Sequence, residues 1–140
     1  MKRVEFCGGV AMAVFAAGPV FVITWIVAAM IVQTPATAAE WTMIFWLLCI
    51  LLVAVPVGAA ISLIPNLLGG ALMAALGVGY PATRKREIWA IAGTILAMAF
   101  AAPFIGFEPA MLPLYLLFAF TGAICALIVR FGTRWSDDST

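Results

Sequence analysis

Asn66 is the only amide side chain in the apolar part of the sequence, with Pro65 before it and Gly69 and Gly70 about a turn beyond. At the start of a half-helix inside a membrane, such a residue stands beside free backbone N–H groups and the positive end of the helix dipole. That arrangement receives an anion or a polar ligand. The structural use of the same residue is a helix N-cap or an interhelical hydrogen bond, worth about 1 kcal/mol, and it is the commoner one. The second candidate is Arg84-Lys85-Arg86, three consecutive bases. They can hold anionic lipid headgroups or a partner's acids, or simply decide which way the chain is threaded.

Other chemistry lacks its reagents. The chain has no histidine, the commonest ligand for haem iron, zinc or copper and the usual general base. Ser62 is the one serine in the hydrophobic part, and no histidine or lysine in that part can activate it. Cys7, Cys49 and Cys125 fall one to a hydrophobic segment, with no CxxC or metal-ligand spacing, and read as buried, inert thiols. Glu40 and Glu108 are acids at helix ends, where solvation is the ordinary role. No ionisable side chain lies inside an apolar segment, which argues against a carboxylate-coupled transporter or proton channel acting alone. These residues predict no catalysis, no cofactor and no metal. No basic run is long enough for nucleic acid.

The elements that carry these residues follow from composition. With 66% hydrophobic and 9% charged residues, the 140-residue chain falls far from the soluble range of about 25% charged. Only a helical bundle in lipid satisfies such a backbone, because no period-2 barrel pattern is visible. A single bundle over 1–140 is expected, with spans at 6–32, 41–61, 88–107 and 111–129 and a polar tail over 130–140. The first apolar run is too long for a signal peptide and reads as a retained helix, with Gly18-Pro19 bending it in mid-span. Residues 33–40 and 108–113 read as turns.

Residues 41–79 contain no charge at all. A straight helix of that length is about 58 Å long, nearly twice the hydrocarbon core of about 30 Å. One crossing of this stretch puts all seven basic residues on one side, and two crossings divide them; the positive-inside rule selects one. Pro56 and Pro65 interrupt the stretch. The expectation is therefore a crossing over 41–61, then a short apolar helix over 65–79 that is interfacial or re-entrant. Burial is the better place for it, since it has no charged face. A single long helix projecting past the bilayer is the other way to keep the same parity.

The Asn66-Leu-Leu-Gly69 run, in a chain of four short spans, resembles a fragment of the small fluoride channels. The Gly-rich, Arg-containing opening and the Phe-Ser-Thr run of that family have no counterpart here, so the resemblance assigns no family. Small residues recur at spacing four: Gly9, Ala13, Ala17; Gly58, Ser62; Gly70, Ala74; Gly93, Ala97, Ala101; Gly122, Ala126. They let helices approach closely.

These features together predict an all-α, four-span protein of a bacterial-type inner membrane, with both termini cytoplasmic. Its expected role is that of a small accessory or scaffolding subunit packed against a larger membrane complex, with lipids and other membrane subunits as partners. One rival is an oligomeric small-solute or ion channel lined by Thr24, Asn66, Thr94 and Thr121. The other is a membrane immunity-type protein.

Overall fold

The computed structural model describes residues 3–32, 41–106 and 109–136; the turn expected at 33–40 with Glu40, and Glu108 in the second outer turn, lie outside the described residues. A short strand β1 (Arg3–Glu5) leads into helix α1 (Cys7–Val32). Helix α2 (Trp41–Gly79) follows, then a 3-10 turn at Pro81–Arg84, helix α3 (Arg86–Ile105), a second 3-10 turn at Pro109–Met111, helix α4 (Leu112–Gly132) and strand β2 (Arg134–Ser136). Each of the four α-helices is long and apolar enough to cross a membrane. The chain is thus a multi-pass helical membrane protein.

Three helix pairs carry the packing: α1 lies broadly against α2 and α4, and α3 against α4, while α2 touches α3 and α4 only lightly. Glycines explain why those three pairs are tight. A Cβ on Gly18 of α1 would strike the Ala54 carbonyl of α2, and one on Gly58 would strike Gly18. Gly93 and Gly122 oppose each other across α3 and α4 in the same way, as do Gly9 and Gly132 across α1 and α4. Backbone meets backbone at each crossing, the packing that small residues permit where lipid supplies no hydrophobic drive between helices. The core then forms from Val10, Ala13, Val14, Met73, Trp89, Cys125 and Val129.

Pro56 and Pro65 both sit inside α2, and the helix runs through them. This corrects the expectation of a span ending near 61 with a separate interfacial or re-entrant helix over 65–79. The segment is the continuation of the second helix. In a membrane bundle the backbone groups that a proline frees can be satisfied by neighbouring helices, side chains and local adjustment, so proline need not end the helix. One face of the same segment is covered by the bundle, while Leu67, Leu68, Leu72 and Leu76 on the other are exposed. Gly70 faces Val10 and Val129, Met73 and Ala74 are buried, and Gly77 lies under the Trp135 indole.

One passage of α2 brings the two ends of the chain together. Strands β1 and β2 pair antiparallel, with Val4 opposite Trp135. Residues 130–132 complete α4 and 134–136 form β2, so the tail expected from residue 130 is ordered structure as far as Ser136. At the opposite end α3 stops at Gly106, whose φ of 76° suits glycine, and the Tyr115 hydroxyl donates to the Gly106 carbonyl at 2.8 Å.

Candidate functional site: a basic end and an apolar cleft

Arg84 ends the 3-10 turn after α2, and its Nε donates to the Gly77 carbonyl at 2.7 Å. Gly77 belongs to the last turn of α2, where carbonyls have no partner within the helix, so the arginine caps that helix with the sign of charge its dipole favours. Arg130, in the last turn of α4, donates from its own Nε to the Arg84 carbonyl at 2.6 Å. The two guanidinium groups lie over one ring: Trp135 of β2 has Arg130 at 4.6 Å and Arg84 at 5.3 Å from its centroid. Trp89 of α3 meets the same indole edge-on at 6.3 Å, and the Trp135 Nε1–H donates to the Ala74 carbonyl at 3.4 Å. One tryptophan thus ties α2, α3, α4 and the 3-10 turn together.

The three bases Arg84, Lys85 and Arg86 divide their roles. Arg84 is half-buried and structural. Lys85 is exposed at the N-cap of α3, and Arg86 is exposed with its guanidinium over the Phe131 ring at 4.7 Å. The charges of Arg84 and Arg86 both act on Arg130. The basic loop therefore becomes a cationic end of the bundle that includes Arg130, a residue the sequence reading left in the polar tail. The one signal for it was an aromatic set among arginines at 130–135.

Asn66 lies within α2, half-buried, and caps no helix; none of the hydrogen bonds among the described residues involves its amide. The capping reading is corrected for the same reason as the helix break: α2 continues through Pro65. Asn66 lies instead on the wall of a cleft of about 740 Å³ where α2 and α3 stand apart, with α1 and α4 behind it. Its walls are almost wholly carbon. Ser62, on the same wall, donates its hydroxyl to the Val14 carbonyl at 3.5 Å. Two unpartnered buried polar atoms among the described residues, the Trp89 Nε1 and the Thr121 Oγ1, belong to residues lining this cleft. Thr24 and Thr94 do not line it; their hydroxyls donate to the carbonyls of Val20 at 2.7 Å and Ala119 at 3.3 Å.

Cys7 is exposed, Cys49 half-buried and Cys125 buried, and all three are free thiols. Among the described residues no three His, Cys, Asp or Glu side chains gather as a metal site. The molecule therefore offers an apolar receptacle with a cationic end. Neither a protein-family model nor a curated protein nor a solved structure matches this chain.

Proposed function

We propose that this chain is a non-catalytic accessory or scaffolding subunit that packs against a larger membrane protein complex in a bacterial-type inner membrane. Its paired termini and basic end face the cytoplasm, following the positive-inside rule. The observation that carries the reading is the outward face of α2. Leu52, Val53, Leu63, Ile64 and Leu67 are all exposed, and no residue of the helix's most apolar 18-residue stretch is buried by the rest of the chain. A helix of 39 residues that its own bundle covers on one side presents a long apolar stripe to whatever lies beside it in the membrane. The hydroxyls of Thr24 and Thr94 are engaged with backbone carbonyls, which leaves fewer polar groups for the rival channel path.

Gentle extraction of a tagged copy from native membranes, followed by sizing and mass spectrometry, tests this. Stoichiometric migration with a large complex is the expected result. Migration as a small monomer or homo-oligomer sinks the subunit reading and puts the channel first, with Asn66 as the first residue to substitute.

A further inference from the structure

We propose that the cleft between α2 and α3 holds one acyl chain of an anionic phospholipid, whose headgroup lies against Arg86 and Arg130 at the basic end. Three observations meet there. The cleft is walled by hydrocarbon, including Val57, Ile61, Ile95 and Phe118, and it lies between two helices that touch only lightly. In a bilayer such a space fills with the surrounding hydrocarbon, because wall atoms facing a void forfeit their dispersion contacts.

The lining runs from Trp89 to Phe100 along α3 and from Phe118 to Val129 along α4, and along α2 it runs from Ala54 to Met73. At 1.5 Å per residue the first two stretches are about 17 Å and the third about 28 Å, close to a hydrocarbon core of about 30 Å. A chain entering at the basic end therefore has α3 and α4 beside it for about one leaflet, and carbon wall along α2 beyond that.

The end at which Trp89 and Val129 lie is the cationic one. Val129 adjoins Arg130, and Trp89 is one turn from Arg86. Among the described residues neither Arg86 nor Arg130 pairs with a carboxylate; their guanidinium groups lie over the rings of Phe131 and Trp135. Trp89 is 1% exposed, and its indole N–H finds no acceptor among the described residues. A lipid with its headgroup here places phosphate oxygens at the arginines, while its tail follows the carbon walls.

The test uses the intact chain in nanodiscs of equal parts phosphatidylglycerol and phosphatidylcholine, released into native mass spectrometry. One phospholipid per protein should be retained, with a ratio of bound phosphatidylglycerol to phosphatidylcholine about thirtyfold that of the bilayer, the scale expected of two basic residues at about 1 kcal/mol each. Arg86→Gln, alone and with Arg130→Gln, should keep the bound lipid and lower that enrichment stepwise toward unity. Ile61→Trp with Ile95→Trp, at two exposed lining positions, should abolish retention while the protein still elutes as a folded species. Absence of a retained lipid overturns the proposal. So does retention without headgroup preference, equal retention in the filled variant, or a second copy of the chain found crosslinked into the cleft.

Discussion

Trp135 shows how much a single side chain does at the basic end. Its ring is shared by Arg84, Arg130 and Trp89, and a Cβ placed on Gly77 would run into it. Each cation–π contact contributes about 0.5–1 kcal/mol where exposed and more where water is excluded. Trp135→Ala should therefore destabilise the protein by about 3 kcal/mol, the low end for removing a large aromatic from a packed site. Trp135→Phe, which keeps a ring for the arginines, should recover more than half of that. Reversible unfolding in mixed micelles measures both, and an alanine variant within about 0.5 kcal/mol of wild type would show the ring to be dispensable. At the glycine crossings the expected effect is larger. Gly122→Leu has no space, because a Cβ there already meets Ala97 and the Gly93 backbone, so the α3–α4 pair should come apart and the protein fail to accumulate. The spacing-four strips visible in the sequence supply Gly9, Gly58, Gly93 and Gly122 to these crossings, while their partners Gly18 and Gly132 stood in no strip. Trp135 was not legible as a keystone, because a tryptophan among arginines after the last span reads equally well as an interfacial anchor.

At the level of the element, α2 is the piece that composition could not settle. Its absence of charge was legible, and one helix over its whole length is compatible with a single crossing. Its continuity was not, because the signal used for a break was proline, which ends helices in water far more surely than in a bundle. The surplus length falls at the basic end: Gly70 already stands level with Val10 in the first turn of α1, so the residues after it run on beside β1 and Trp135. A continuous helix makes a plain prediction for Pro65→Ala. A proline in a helix interior costs about 3 kcal/mol relative to alanine in water, so the substitution should leave stability unchanged or raised. Loss of more than about 1 kcal/mol would mean that Pro65 holds a geometry that helix continuity does not account for. Single cysteines in place of Leu68 and Leu72, in a background freed of the native thiols, should resist a membrane-impermeant maleimide, and one at Tyr80 should react. A surface-lying 65–79 helix would instead label at 68 or 72.

For the whole molecule, the pairing of β1 with β2 brings Arg3–Glu5 and Arg134–Ser136 together, and in the proposed orientation the positive-inside rule puts that end in the cytoplasm. Replacing Arg84, Lys85 and Arg86 together by glutamine should weaken that assignment, seen as a mixed population when a reporter at the C-terminus is scored for compartment. The four helices were legible because hydropathy is a property of each segment by itself. The cleft was not, because it is made by what α2 and α3 fail to touch, and no single segment records a missing contact. That openness also separates two surfaces. The cleft side of α2 carries Val57, Ile61 and Leu72, whereas Leu52, Leu63 and Leu67 lie on the exposed side away from it. If the outward stripe is where a larger complex docks, Leu52→Trp with Leu63→Trp should reduce co-migration with that complex at least about tenfold, a change of about 1.4 kcal/mol. The melting of the isolated protein should stay put, because neither side chain is buried in its own bundle. The matched change on α3, Ile91→Trp, falls on an exposed side chain outside both surfaces and should leave co-migration intact. Equal loss from both changes would mean that bulk on any face disturbs the assembly, and the assignment of docking to α2 would fall.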